Sequence, residues 1–388
     1  MGRAGSFSRD SVTRSSARDT CVRLLASAGV EVGGTDPWSI QVHDERMWDR
    51  VFADRELALG ETYMEGWWDA DAPDELITRV LTADLREAIR PSPKLMAAMA
   101  RAKLQNRQTV GRARRNAQHH YDIGDDLYER MLDERMVYSC AYWADQPGAA
   151  STDLAAAQVA KLDLICRKLH LEPGTRLLDI GCGWGGLSRF AAERYGASVV
   201  GISPVVNQVA RAREVCAGLD VEIRKQDYRQ VTGSFDRIVS VGMMEHVGAK
   251  NFAAFFRRCG DLLAPDGMML HHTIGSLVTK DHTDPWIDKY IFPGGLLPSL
   301  GQVSGACEPS WVIEDVHNFG ADYDRTLMCW LANIEAAWAD LPNYDERFQR
   351  MWRYYLCVSA AGFRARRLQL WQLVIRRTGR GTRYEPVR

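Results

Sequence analysis

Between residues 175 and 274, short apolar segments alternate with stretches of helical spacing. Residues 175–181, 198–203, 235–242 and 268–274 are apolar runs, and 221–227 is a more mixed one. Runs of that length bounded by turn residues predict strands. Residues 187–195, 205–217 and 251–263 place their apolar side chains on one helical face and predict helices. This order predicts an α/β fold, a mostly parallel sheet with helices on both faces. Right-handed crossovers then gather the loops that follow the strands at one sheet edge, where ligands bind.

The pattern changes on either side of this block. Residues 275–309 are long and irregular, as expected of a lid or a pocket wall. Helical spacing returns at 323–338 and 344–361, and 369–376 closes the pattern as a strand. At the other end, residues 1–18 are rich in Ser and Arg and read as a loose tail. Residues 19–92 read as a small N-terminal domain, with 93–115 a basic linker and 116–388 the large α/β domain. Within the small domain, Trp67 and Trp68 read as core packing, with a lipid-facing or subunit-facing surface as the alternative.

With 388 residues, 46% hydrophobic and 26% charged, the composition is that of a globular protein. A formal net charge of -1 supplies no global field for nucleic acid or membrane. The local exception is Arg101, Lys103, Arg107, Arg112, Arg114 and Arg115, uninterrupted by any acid. Such a run is either a solvated linker or a patch for anionic lipid headgroups, at about 1 kcal/mol per basic residue. Nine scattered cysteines without a CxxC pair suit a reducing cytosol and argue against a disulfide framework or structural zinc. Neither a secretory signal nor an apolar run of membrane-spanning length is expected.

The first strand runs into Asp179-Ile180-Gly181-Cys182-Gly183-Trp184-Gly185-Gly186, which satisfies GxGxxG. A dinucleotide site would place an acid at the end of the second strand, but that strand ends Gly201-Ile202-Ser203-Pro204. S-adenosylmethionine is the better fit. Gly181 and Gly183 permit close backbone approach, and Asp179 offers an anion to its cationic groups. Other polar residues stay ambiguous by spacing alone. Cys140 could be a packed hydrophobe, Glu245 and His246 helix caps, and His272 a hydrogen-bonded core histidine.

Longer motifs occur in order along the chain: GETYMEGWWDAD, HYDIGDDLYERML, YSCAYW, LLDIGCGWGGL, SVGMMEHVG, HTIGS, DPWIDKYIFPGG, EDVHNFGADYD and FRARRLQLWQ. With them the sequence closely resembles the full-length bacterial cyclopropane-fatty-acyl-phospholipid synthases, from about Leu24 to about Arg376. The resemblance implies a class I methyltransferase (Rossmann-like) fold and a catalytic domain over 116–388. It implies S-adenosylmethionine as methyl donor, an unsaturated phospholipid acyl chain as substrate, and bicarbonate as general base. Cys140, Glu245, His272, Ile274 (through its backbone) and Tyr323 match the bicarbonate site. Tyr121, Tyr138, Ser139, Asp179, Gly181, Cys182, Gly183, Ser203, Gln208, Gln226, Asp227 and Tyr228 match the methyl-donor site. Val205 stands where the family commonly has a small hydroxyl residue, and His271 where it commonly has an apolar one. A peripheral homodimer at the cytoplasmic face of the membrane is expected, with neither metal nor nucleic acid.

Those residue types suit the chemistry. An alkene attacks a sulfonium methyl only when held close and in line. The resulting carbocation needs a dry pocket and aromatic faces, for which Tyr142, Trp143, Tyr290, Phe292 and Tyr323 are candidates. A small weak base can then remove a proton for ring closure without trapping the cation as an ester. A branching methyltransferase of the same family shares the first step and differs in how the cation resolves.

Overall fold

The computed structural model describes residues 9–85, 124–143, 153–308, 310–379 and 383–388. At the N-terminal end, α1 (Arg9–Ser27), α2 (Met47–Met64) and α3 (Pro73–Thr82) surround a two-stranded ribbon of β1 (Gln41–Val42) and β2 (Trp68–Asp69). Helix α1 begins inside the stretch expected as a tail. Over 17–27, where burial is described, its buried side chains are the small Ala17 and Cys21, which leave little hydrophobic periodicity to read. Trp68 is fully buried and donates from Nε1 to the Leu59 carbonyl, so it packs as core. Trp67 is half-buried, with the guanidinium groups of Arg46 and Arg50 each 4.8 Å from its ring. The domain boundaries expected at 92 and 115, and the basic run between them, lie outside the described residues.

The large sheet follows two helices, α4 (Asp125–Met131) and α5 (Leu154–Lys168), the latter capped by Asp153, whose Oδ1 accepts from the Ala156 N–H at 2.9 Å. Strands β3 (Arg176–Ile180), β4 (Ser198–Ser203), β5 (Val221–Lys225), β6 (Phe235–Val241) and β7 (Leu263–Ser276) match the five expected strands. The helices between them are α6 (Gly186–Tyr195), α7 (Val206–Val215) and α8 (Phe252–Leu262). Two short helices, α9 (Pro285–Tyr290) and α10 (Leu300–Cys307), occupy the stretch read as irregular. Then come β8 (Trp311–Asn318), α11 (Ala321–Ala337), α12 (Glu346–Arg364) and β9 (Leu368–Arg377).

The sheet order is β5-β4-β3-β6-β7-β9-β8. The first five strands are parallel, and β9 runs antiparallel to both β7 and β8. Alternate strand residues cover opposite faces. Leu178, Ile238, Met269 and Ile375 pack with Phe255 and Phe256 of α8, while Leu177, Val239, Leu270 and Val374 pack with Leu162 and Ile165 of α5. The strand order reverses between β3 and β6, which opens a crevice at their carboxyl ends. The edge strand β8 was not legible in the sequence, because Glu314, Asp315 and His317 interrupt its apolar alternation.

The N-terminal helices join the large part through α12. The Arg350 guanidinium donates to the carbonyls of Tyr63 and Trp68 and to the Asp69 carboxylate, and Arg364 ties Asp74 to Asp324. Among the described residues no helix is long and apolar enough to cross a membrane.

Candidate active site

A cleft opens at the carboxyl ends of β3, β4 and β6. The loop after β3 turns through Gly181 (φ 89°) and Gly183 (φ 54°), a left-handed region that favours glycine. A Cβ on Gly183 would meet nothing within 4 Å, so its backbone faces open space. Asp179 is fully buried, accepts from Ser188 Oγ at 2.7 Å, and has its carboxyl pushed up to about 6 by burial.

Every expected methyl-donor residue within the described residues lines this cleft: Tyr138, Ser139, Asp179, Gly181, Cys182, Gly183, Ser203, Gln208, Gln226, Asp227 and Tyr228. Tyr121 lies outside the described residues. Ser203 Oγ donates to Gln208 Oε1 at 3.0 Å and accepts from the Val205 N–H, which fixes the turn after β4. Val205, where the family commonly has a small hydroxyl residue, contributes its backbone N–H to that turn. Asp227 accepts two bonds from the Arg229 guanidinium, which holds it in place.

Glu245, His272 and Ile274 lie just past the carboxyl end of β6 and in the last residues of β7. Glu245 sits in a short turn after β6, and its Oε1 accepts from the Ile274 N–H at 2.7 Å. Its Oε2 is buried with no partner among the described residues, and burial pushes the carboxyl up to about 7. His272 lies two residues before Ile274 and is fully buried. Gln372 Nε2, its neighbour across the β7–β9 ladder, donates to His272 Nδ1 at 3.3 Å. An amide nitrogen can only donate, so Nδ1 accepts and His272 Nε2 carries the ring proton. That Nε2 is also without a partner among the described residues. Burial first, and then the positive charge of Lys161, keep the ring neutral.

The segment carrying Tyr138, Ser139 and Cys140 docks on α11. The Ala141 N–H donates to Thr326 Oγ1, and the Trp143 N–H donates to Asp322 Oδ2. Cys140 is thereby held beside Thr326, three residues along α11 from Tyr323, and burial raises the Cys140 thiol well above its usual range. Aromatic rings supply the apolar walls. Tyr323 packs on Phe363 and Trp330, Tyr142 on Phe319, and Phe319 on His272. Of the other candidates, Trp143 is buried, and Tyr290 and Phe292 are half-buried.

Sequence reasoning missed three polar residues of the cleft, Lys161, Arg229 and His246 as a lining group. Lys161 had a readable signal, a lysine at helical spacing from the apolar residues Leu154, Ala157, Leu164 and Ile165 of α5.

A sheet of this order, a glycine turn after its first strand and a cleft with a buried acid define a class I S-adenosylmethionine-dependent methyltransferase. The family described as Mycolic acid cyclopropane synthetase matches residues 108–373. The chain is 49% identical over 355 residues to the cyclopropane-fatty-acyl-phospholipid synthase of Escherichia coli (strain K12), covering 91% of this chain and 92% of that one. It is 36% identical over 398 residues to tuberculostearic acid methyltransferase UfaA1 of Mycobacterium tuberculosis (strain ATCC 25618 / H37Rv), covering 92% and 88%. The crystal structure of mycolic acid cyclopropane synthase CmaA1 complexed with SAH and CTAB superposes with a TM-score of 0.62 at 33% identity, covering 68% of this chain and 97% of that one. The chain belongs to this cyclopropane synthase family.

Proposed function

We propose that this protein is a cyclopropane-fatty-acyl-phospholipid synthase. It transfers the methyl carbon of S-adenosylmethionine to the cis double bond of an unsaturated phospholipid acyl chain and closes a cyclopropane ring. The observation that carries this reading is the pair of buried, unpartnered polar atoms, Glu245 Oε2 and His272 Nε2, beside the methyl-donor cleft. Similarity to the E. coli protein over nearly the whole chain supports the substrate class.

Buried polar atoms need partners. Here one is an acceptor and the other an N–H donor. Bicarbonate fits both, because it can donate its hydroxyl to Glu245 and accept from His272. Tyr323 and Cys140 are assigned to the same site. When bound, bicarbonate supplies a weak base that a carbocation does not readily trap. Gln372 holds His272 in the donor tautomer, and the Ile274 N–H orients the Glu245 carboxylate. Glu245, poised near neutrality, is suited to take up the released proton. The aromatic walls around Tyr323, Phe319 and Phe363 keep water from the cation and present their negative faces to it.

A branching outcome is the second reading, favoured by the similarity to the tuberculostearic acid methyltransferase. Docking as a peripheral homodimer at the inner membrane face belongs to the same proposal. Vesicle co-sedimentation and light scattering test those two points.

The deciding experiment uses purified protein, methyl-labelled S-adenosylmethionine and liposomes of a cis-monounsaturated phospholipid, with proton NMR of the acyl product. Cyclopropyl signals with loss of vinyl signals are expected. Labelled lipid without them would establish branching, and unlabelled lipid would refute both.

A further inference from the structure

The methyl-donor cleft contains a lysine, Lys161, whose contact with the cleft wall the proposed function does not use. Helix α5 lies behind residues 137–140 and holds them from one face. Gln158 Nε2 donates to the Ser139 carbonyl at 2.8 Å and to the Val137 carbonyl at 3.3 Å. One turn further on, Lys161 Nζ donates to Ser139 Oγ at 2.7 Å. Lys161 lines the cleft yet is only 1% exposed. Among the described residues no carboxylate lies within ion-pair distance of it, although Asp133 and Asp179 act on it from further away. Lys168, also fully buried, instead has Asp315 at 3.8 Å and His317 at 3.0 Å.

A buried cation without a close counter-charge is costly, and a lysine kept only to brace the backbone would be replaceable by a neutral donor. The hydrogen-bond direction indicates a different use. An ammonium has three donors and no acceptor. Ser139 Oγ must therefore accept from Lys161, and its own proton is left to point elsewhere. Ser139 lines the cleft, so a hydroxyl polarised by a cation is available there as a donor. That arrangement complements an anion. Asp179, buried in the same cleft, complements a cation. S-adenosylmethionine carries one of each, a carboxylate and an ammonium, on its amino-acid portion.

We propose that Lys161 is a positioning residue which, through Ser139, builds the carboxylate-binding end of the methyl-donor site. This rests on the methyltransferase class of the protein and not on its lipid product. Burial pushes the lysine down to about 8, so it is mostly cationic at neutral pH. The groups that face it are Ser139, Asp133, Cys140, Asp179 and His272.

The test is calorimetric binding of two ligands to the full-length protein. One is S-adenosylhomocysteine. The other is its decarboxylated analogue, which keeps the amine. Lys161→Met is expected to weaken S-adenosylhomocysteine about 10- to 100-fold, the range for a charge-assisted hydrogen bond. The analogue should change by less than about 2-fold, within the scatter of such contacts. Ser139→Ala should show the same selectivity, the double variant should be no worse than either single one, and Lys161→Arg should recover most of the affinity. Equal losses for both ligands would make Lys161 a structural brace, and unchanged S-adenosylhomocysteine affinity would also overturn the proposal. Should Lys161→Met fail to fold, the pH dependence decides. Wild-type affinity for S-adenosylhomocysteine should fall relative to the analogue as pH rises through about 8. Lys161→Arg should remove that difference, and a wild type without it would refute the role.

Discussion

The Glu245 carboxylate accepts the Ile274 N–H at 2.7 Å through Oε1 and leaves Oε2 buried without a partner among the described residues. One oxygen fixes the orientation, and the other is the atom the proposed function assigns to bicarbonate. Glu245→Gln keeps the shape and removes the carboxylate that the proposed function assigns to proton uptake. Turnover is expected to fall about 10²- to 10⁴-fold, with S-adenosylhomocysteine affinity within about 2-fold of wild type. Steady-state rates and calorimetry check both. Below about 7 the wild-type carboxyl is protonated and cannot accept a proton, so kcat should rise with pH through about 7. That limb should be absent from the residual activity of the Gln variant.

Gln372 selects the tautomer of His272 by donating to Nδ1. Gln372→Leu removes that selection and leaves the imidazole in place. A loss of about 3- to 10-fold in kcat is expected, in proportion to one ordinary hydrogen bond. His272→Ala should cost more. Equal losses would mean that Gln372 does more than orient the ring.

His271 faces the opposite side of β7 from His272, against Phe255 and Phe256, and neither ring nitrogen has a partner among the described residues. Burial holds its pKa down to about 3. His271→Leu should stabilise the fold by about 1–3 kcal/mol in urea unfolding. The neutral ring is favoured in the folded state, so its contribution is fully present above the unfolded pKa of about 6.5. It is lost as pH falls from there toward about 3, because only the unfolded chain takes up the proton. The Leu variant should therefore lose less stability than wild type across that window.

Gly60 of α2 lies against the buried Trp286 of α9, where a Cβ would stand 2.4 Å from the indole ring. Ala in a helix normally gains about 1 kcal/mol over Gly. Here overpacking should reverse the sign, and Gly60→Ala should destabilise by about 1–3 kcal/mol. Turnover should also fall, because α9 leads to Phe292, which packs on the cleft residue His246 at 5.8 Å. Thermal midpoint and kcat measured together check the coupling.

The strand periodicity from residue 175 to 274 determined the parallel core, because alternation and run length report directly which faces are buried. The glycines after β3 announced a tight turn, since only glycine adopts those backbone angles without strain. The motif order marked residues that line the cleft. The sequence did not reveal edge strand β8, helix α9 or helix α10. Polar interruptions and short length leave such elements no clear period, and packing against neighbours forms them. Tertiary structure alone decided the pairings that tune the site. Lys161 meets Ser139 from 22 residues away and Gln372 meets His272 from 100. Local periodicity encodes which side of an element is buried. Which side chains then meet is set by strand register and helix packing, which no single segment of the chain contains.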